Sequence, residues 1–274
     1  MKIYDCFTFF NELELLELRL KLLYHMVDFF VLCELDVNHR GEKRAYCFEK
    51  NKEQFSRYLD KILYVKATGA PEYDASLRVY SPDGMRSSGD WAIENYHRNC
   101  IAHGLGNCNQ DDIVLISDLD EIPSPDALHR LIVSHRLEES AITFEMRLFY
   151  YFLNLQSKER WKGTVACKFE RLQSIQALRG RKDSFPCVAD AGWHFSYMGG
   201  IERIKNKMKS IVEGNEVLAQ DSYIRFCLKH GIDLYGRKGD KYTYELVPID
   251  GIDFPGIEEF IEKYPYLYCT EQMV

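Results

Sequence analysis

The sequence lacks an excess of positive charge, a Cys-x-x-Cys pair and a long apolar run. Its 42 acidic residues outnumber the 35 basic ones, which gives a formal net charge of -7. No overall field therefore draws the chain to nucleic acid or to an anionic membrane. The nine cysteines are scattered and odd in number, a pattern typical of reduced thiols rather than of a disulfide framework or a zinc site. The densest basic cluster before the C-terminal third is Arg179–Lys182, which we interpret as a solvated loop.

Signals for export and for membrane insertion are also missing. No signal-peptide pattern opens the chain, and no apolar stretch approaches the roughly 20 residues that cross a bilayer. We therefore expect a soluble, cytoplasmic protein without a transmembrane segment. Hydrophobic residues make up 46% and charged residues 28% of the sequence, which is the composition of a globular domain rather than of a disordered chain.

Strand and helix patterns alternate along the first half of the chain. Apolar runs predict strands at residues 2–10, 28–34, 61–66 and 112–117, and helical spacing predicts helices at 12–26, 50–60, 91–103 and 125–136. A long loop is expected at 68–90, where glycine and proline recur. This order predicts an α/β fold with a Rossmann-like, mainly parallel central sheet flanked by helices.

The second half of the chain is less regular. Its apolar runs predict strands at 141–153, 164–169 and 192–197, and its helical patterns predict helices at 200–212, 217–230 and 256–263. No repeat, low-complexity tract or linker interrupts the sequence. We therefore expect a single domain over residues 1–274.

The strongest chemical signal is an apolar strand that ends on three acids, Asp118, Asp120 and Glu121. Ligands of open α/β sheets bind beyond the carboxyl ends of the strands. Mg²⁺ and Mn²⁺ prefer oxygen ligands and commonly bind through one or two carboxylates plus substrate phosphates. Since clustered carboxylates repel one another without a cation, Asp118 and Asp120 are candidate metal ligands. The alternative is an ordinary surface turn.

Four stretches together resemble glycosyltransferase family 17. They occur in order along the chain, at Phe10–Arg19, Val27–Glu34, Asp111–Pro123 and Gly192–Ser196. The resemblance implies a GT-A type fold, a UDP-sugar donor with UDP-GlcNAc as first choice, and inversion at the anomeric carbon. It also implies Mn²⁺ or Mg²⁺ as cofactor and an oligosaccharide or glycan acceptor. On this basis residues 1–123 form the nucleotide-sugar-binding half of one catalytic domain, and residues 124–274 form the acceptor side.

Several residues acquire candidate donor-binding roles. Asn11 and Glu12 follow the first strand, where the nucleotide would lie, although they also suit helix capping. Glu34 ends the second strand and can accept hydrogen bonds from ribose or base, with a solvated strand end as the alternative. Arg98 precedes the metal strand and can reach a phosphate, form a salt bridge to Asp118, or lie on the surface.

The segment Gly192–Ser196 supplies two further candidates. In GT-A enzymes a histidine late in the chain often completes the metal shell, and the resemblance favours His194 as that ligand. A packed core histidine is the alternative. Trp193 would pack beside the sugar or brace the strand.

An inverting transfer needs a general base that takes the proton of the acceptor hydroxyl. Three acids are candidates and the sequence does not decide among them. Asp190 lies four residues before His194, Glu170 follows Cys167 at a position where the family also carries an acid, and Glu145 follows an apolar strand.

Two other functions remain open from sequence. A haloacid-dehalogenase-like phosphohydrolase also places Asp-x-Asp after an apolar strand, with the first Asp as nucleophile. That motif usually lies early in its chain, whereas Asp118 lies near the middle of this one. A non-catalytic sugar-binding module would bind glycan without metal or nucleotide.

Overall fold

A ten-stranded sheet is the centre of the computed structural model, which describes residues 1–69, 91–211 and 216–270. The strands are β1 (Ile3–Phe9), β2 (Phe29–Leu35), β3 (Ile62–Ala67), β4 (Ile113–Asp118), β5 (Glu121–Pro123), β6 (Ile142–Tyr150), β7 (Leu155–Lys168), β8 (Cys187–Val188), β9 (Gly192–Ser196) and β10 (Tyr244–Leu246). From residue 70 to 90, the loop predicted at 68–90 lies outside the described residues.

Eight α-helices within the described ranges flank the sheet. They are α1 (Leu13–Leu23), α2 (Cys47–Asn51), α3 (Ala92–Cys100), α4 (Pro125–Val133), α5 (Ile175–Gly180), α6 (Gly200–Ser210), α7 (Asp221–His230) and α8 (Ile257–Lys263). None of the helices in this part of the chain is both long and apolar enough to span a membrane.

The strand order is β3-β2-β1-β4-β7-β6-β9-β5, with β10 paired to β7 and β8 paired to β6. Strands β1 to β4 run parallel to their neighbours within this group, whereas β7 is antiparallel to both β4 and β6. The predicted α/β fold with a central sheet flanked by helices is confirmed. The parallel arrangement belongs to its first half, and the second half is mixed. The predicted halves 1–123 and 124–274 share this one sheet.

Strand β7 is longer than the predicted strand at 164–169. Its first half carries the exposed residues Lys158, Glu159 and Arg160, so the apolar signal begins only near Gly163. Backbone pairing with β6 and β10 nevertheless extends the strand back to Leu155. An apolar pattern predicts only the buried part of a strand. Residues 158–160 of β7 are exposed, so the pattern did not predict this part of the strand.

Alternation along β1 and β4 directs their side chains to two separate cores. Phe7 and Leu115 pack in the large core with α1, while Cys6 and Ile116 pack in a second core on the opposite face. Such two-sided burial explains why these strands appear as continuous apolar runs. By the same alternation Asp118 lies on the face of the second core.

Arg19 of α1 is buried against the turn that joins β4 to β5. Its guanidinium group binds both carboxylate oxygens of Asp5, at 2.6 and 2.7 Å. It also donates to the Ser117 hydroxyl and to three carbonyl oxygens of the turn, those of Asp118, Leu119 and Glu121. One side chain therefore fixes the backbone from which the three acids project.

We predict that Arg19→Met lowers the free energy of unfolding by about 3–5 kcal/mol, because it leaves the buried Asp5 carboxylate without its cation. Urea-induced unfolding measures the loss. Lys21→Met is a matched control on the same helix, since Lys21 pairs with the exposed Glu259, and it should cost far less. Equal losses in the two variants would contradict this role for Arg19.

Candidate active site

A cavity of about 620 Å³ opens at the carboxyl ends of β1 and β4. Residues from α3, α5 and α6 line its sides, and residues from β6 and β9 line its floor. This is the edge at which ligands of α/β sheets bind. Of the predicted donor-site and metal-site residues, those that line the cavity are Glu12, Arg98, Asp118, Asp120 and His194.

Asp118 faces two arginines across the cavity wall. Arg98 donates to both of its carboxylate oxygens at 3.0 and 3.1 Å, and Arg179 donates to one of them at 3.3 Å. Burial alone would favour the protonated acid, but Arg98 and then Arg179 hold the pKa of Asp118 well below its usual range. Of the three roles left open for Arg98, the salt bridge to Asp118 is therefore present.

Asp120 lies beside His194 because β5 and β9 are paired, with Glu121 opposite His194 in the register. His194 Nε2 is 3.5 Å from one carboxylate oxygen of Asp120, and Lys207 Nζ is 3.1 Å from the other. Both Asp120 and His194 are 8% exposed. Burial disfavours the charged acid, yet Lys207 and His194 hold the pKa of Asp120 well below its usual range.

Glu121, the third acid of the motif, is buried within the wall of the cavity. Its carboxylate binds the guanidinium group of Arg179, accepts a bond of 2.7 Å from the Trp161 indole and accepts another from the Asp118 backbone N–H. Glu121 therefore positions Arg179 and Trp161 rather than meeting a ligand through a free carboxylate.

The basic run Arg179–Lys182 does not form the expected solvated loop. Arg179 is buried, and both it and Lys182 line the cavity, while Arg181 is exposed. Desolvation, followed by repulsion from Arg179, lowers the pKa of Lys182 to about 7. The interpretation was wrong because the short helix α5 and the turn after it direct Arg179 and Lys182 toward the cavity.

The side chains around Asp120 suit a divalent cation that is bound jointly by the protein and the substrate. Within the described ranges, no three His, Cys, Asp or Glu side chains form a ready-made metal cage. Asp120 and His194 bring an oxygen and a nitrogen donor together, and His194 Nδ1 is buried without a hydrogen-bond partner in this part of the chain. Substrate phosphates and water can supply the other positions. The metal roles of Asp118, Asp120 and His194 stay predictions, and the oxygens of Asp118 face arginines.

Glu34 does not reach the cavity. It is fully buried, and its carboxylate accepts from the backbone N–H groups of Cys47 and Phe48 and from the Tyr64 hydroxyl, while also pairing with Arg44. Its capacity to accept hydrogen bonds from ribose or base is thus used by the protein. The alternative of a solvated strand end is wrong as well, because no part of the side chain is exposed.

Asn11 and Trp193 lie close to the cavity without lining it. Asn11 borders a smaller recess beside Glu12 and Asp120. Trp193 alternates with His194 along β9, is buried in the large core, and donates its indole N–H to the Ile252 carbonyl at 2.8 Å. Of the two roles predicted for Trp193, the geometry is that of a brace for the strand.

None of the three candidate general bases lines the cavity. The Asp190 side chain is 69% exposed and pairs with Arg160 at 2.8 Å. Glu170 is exposed just after β7, and Glu145 lies on β6 opposite Lys162. Sequence proximity to His194 or to an apolar strand therefore did not indicate access to the site.

Several cavity residues had no sequence signal of their own. Lys207 comes from an amphipathic helix, Trp161 from the charged part of β7, and His39 from a polar loop. The Trp161 ring lies 4.7 Å from His194 and 4.0 Å from the Lys182 amine. These residues meet only because the sheet brings distant segments together, and no local spacing marks them.

The cavity at the ligand-binding edge of this mixed α/β sheet, with its paired carboxylates among arginines and lysines, is the candidate active site. The chain belongs to glycosyltransferase family 17, whose model matches residues 1–249.

Relatives of known name agree with this membership. The chain is 28% identical over 176 residues to the β-1,4-mannosyl-glycoprotein 4-β-N-acetylglucosaminyltransferase of Rattus norvegicus, over 62% of this chain and 30% of the relative. The Homo sapiens enzyme of the same name is also 28% identical over 176 residues, with 62% and 31% covered. The matched segment thus spans about a third of the length of these curated relatives.

Among solved structures, the 2-C-methyl-D-erythritol 4-phosphate cytidylyltransferase of Francisella tularensis superimposes with a TM-score of 0.33 and 10% identity. The superposition covers 70% of this chain and 91% of that chain.

We predict that Glu121→Gln lowers the free energy of unfolding by about 3 kcal/mol, because it removes the buried charge that balances Arg179 and sets an amide N–H₂ against the Asp118 backbone N–H. Urea unfolding measures the change. The exposed Glu139→Gln is the control and should leave the midpoint unchanged. Wild-type stability in Glu121→Gln would refute the anchoring role.

Proposed function

We propose that this chain transfers a sugar from a UDP-sugar to a hydroxyl group of a glycan acceptor, within the cavity at the ends of β1 and β4. The observation that carries the proposal is the pairing of Asp120 with His194 beside a set of cations. Family membership agrees with it. The names of the relatives make UDP-GlcNAc the first donor to test and a mannosyl glycan the first acceptor.

The cations of the cavity suit a diphosphate. Arg98 and Arg179 extend their guanidinium groups beside Asp118, while Lys182 and Lys207 line the same space. Guanidinium groups bind phosphate oxygens through paired hydrogen bonds, and ammonium groups act as point charges. A divalent cation bound by Asp120 and His194 would neutralise charge on the leaving diphosphate, and the imidazole ligand favours Mn²⁺ over Mg²⁺.

We place the nucleoside between the end of β1 and the start of α3. Phe9, His39, Trp91 and Asn95 line this end, which combines aromatic faces with polar groups. Desolvation lowers the pKa of His39 to about 4, so its imidazole is neutral at pH 7. Its Nδ1 lies 3.5 Å from a Glu94 carboxylate oxygen, which leaves Nε2 to meet the nucleoside. These are the contacts that a pyrimidine ring and a ribose need.

Inversion requires a base on the acceptor side, and we assign that role to Glu12. The other acids of the cavity each form an ion pair with a basic side chain; they are Glu94, Asp118, Asp120 and Glu121. Glu12 borders the cavity near Asp120 and Tyr197, and its carboxylate accepts one backbone N–H, that of Asn11. The acceptor oxygen bonds to the anomeric carbon, its proton passes to Glu12, and the bond to the diphosphate breaks to release UDP.

The two rival functions are less compatible with this geometry. A phosphohydrolase would use Asp118 as a nucleophile, but Arg98 and Arg179 already bind its oxygens and lower its reactivity. A non-catalytic sugar-binding module would not need the buried cations at Asp118 and Asp120.

We predict that UDP raises the melting temperature by a few degrees in the presence of Mn²⁺ and by much less in EDTA. A ligand that binds only the native state adds stability by mass action, and the metal joins Asp120 and His194 to the diphosphate. Differential scanning fluorimetry with Mn²⁺ alone, UDP alone and both together checks this. An equal UDP shift in EDTA would overturn the metal bridge.

Two variants separate donor binding from proton transfer. Asp120→Asn should lose both transfer and the Mn²⁺-dependent UDP shift while keeping the fold, because it removes a ligand charge without changing shape. Glu12→Gln should lose transfer by about 10²–10⁴-fold, the usual contribution of a general base, yet keep the UDP shift. Sugar transfer is followed by UDP release. If Glu12→Gln transfers sugar at the wild-type rate, Glu12 is not the base.

A further inference from the structure

Two buried tyrosine hydroxyls at the cavity have no hydrogen-bond partner among the described residues. Tyr150 of β6 is 4% exposed and Tyr244 of β10 is 6% exposed, and both line the cavity. Their rings are stacked, with centroids 4.8 Å apart and planes 10° apart. Buried polar groups are almost always satisfied in native proteins, so an unpaired pair at the wall of a cavity points to a ligand.

The position of these tyrosines relative to Asp120 follows from the strand register. Leu148 lies opposite His194, and Tyr150 lies opposite Ser196. Tyr150 is two residues beyond Leu148 on β6, which corresponds to about 7 Å along a strand. A ligand on the tyrosines is therefore next to the Asp120 and His194 pair.

The part of the cavity beside Tyr150 and Tyr244 extends toward Glu12, the proposed base. The Tyr197 ring lies 5.1 Å from the Tyr150 ring, and the Lys207 amine lies 5.0 Å from the Tyr197 ring. Tyr197 and Lys207 border the same recess as Glu12. A hydroxyl group of the ligand can thus approach Glu12 from the tyrosines.

The chemistry of this end differs from that of the diphosphate end. The stacked rings of Tyr150 and Tyr244 make its lining aromatic. Of the nearby cations, Arg237 is paired with the buried Asp233 at 2.6 and 3.1 Å, and Lys207 is paired with Asp120 at 3.1 Å. Burial raises the pKa of both unpaired phenols well above the usual value, so each stays protonated and can donate. Protonated hydroxyl donors on aromatic rings suit a neutral, polyhydroxylated ring rather than a phosphate.

We propose that Tyr150 and Tyr244 form the subsite for a neutral sugar ring of the acceptor, whose hydroxyl groups bond to the two phenols. This assignment rests on the proposed transferase function and names the part of the chain that selects its acceptor. The tyrosines bind substrate, and no bond is made or broken on them.

The test compares Tyr150→Phe and Tyr244→Phe with Tyr151→Phe. Tyr151 is fully buried and is the matched control, because its hydroxyl donates to the Ile232 carbonyl at 2.7 Å and it does not line the cavity. Three quantities are measured for each protein. They are the melting temperature, the UDP shift with Mn²⁺, and the affinity for a panel of methyl glycosides of mannose, glucose, galactose and N-acetylglucosamine by saturation-transfer NMR.

The two cavity variants should bind the preferred glycoside about three- to tenfold more weakly, the effect of one lost hydrogen bond. Their melting temperatures should stay equal or rise, since an unpaired buried hydroxyl is removed. Their UDP shift should match wild type. Tyr151→Phe should instead melt lower and keep wild-type glycoside affinity.

Three outcomes would overturn the subsite. They are wild-type protein that binds no glycoside of the panel, cavity variants that bind it as tightly as wild type, and cavity variants that melt lower in the manner of Tyr151→Phe. The UDP shift keeps the two proposals distinct. If wild type shows that shift but binds no glycoside, the subsite fails while the donor site stands. If glycosides bind but UDP does not, the proposed transferase function fails.

Discussion

The site depends on one buried guanidinium group, that of Arg19. It neutralises Asp5 at the centre of the sheet and binds three carbonyl oxygens of the turn between β4 and β5. Two of those carbonyls belong to the acids Asp118 and Glu121, and the third belongs to Leu119, which precedes Asp120. A buried arginine whose guanidinium group is fully hydrogen-bonded is costly to displace. The turn is therefore held rigid, as a site that positions a charged substrate requires.

Charge balance organises the rest of the cavity around that turn. Each acid of the motif has its own cation: Arg98 for Asp118, Lys207 for Asp120 and Arg179 for Glu121. The carboxylates therefore stay ionised although they are buried. Under the proposed function, Asp120 beside His194 would share a metal with the substrate, and the diphosphate would lie against the same arginines that hold Asp118 and Glu121.

The sequence was sufficient for the elements with strong local signals. The strand before Asp118 and its position at the ligand-binding edge follow from the apolar run, and the pairing of Arg98 with Asp118 was one of the three roles that the sequence left open. It was insufficient where burial depends on distant partners. Arg179 looked like a surface residue because its counter-charge, Glu121, lies 58 positions away. Glu34 looked available because the loop that covers it contributes its N–H donors from Cys47 and Phe48.

The most direct test of the proposed reaction is the anomeric configuration of its product. The protein is incubated with Mn²⁺, a mannosyl glycoside and a panel of α-linked UDP-sugars that includes UDP-GlcNAc, and the product is examined by proton NMR. Transfer through Asp120, His194 and Glu12 as described predicts release of UDP together with a β-linked sugar on the acceptor. An α-linked product would contradict inversion, and release of inorganic phosphate without UDP would contradict a glycosyl transfer.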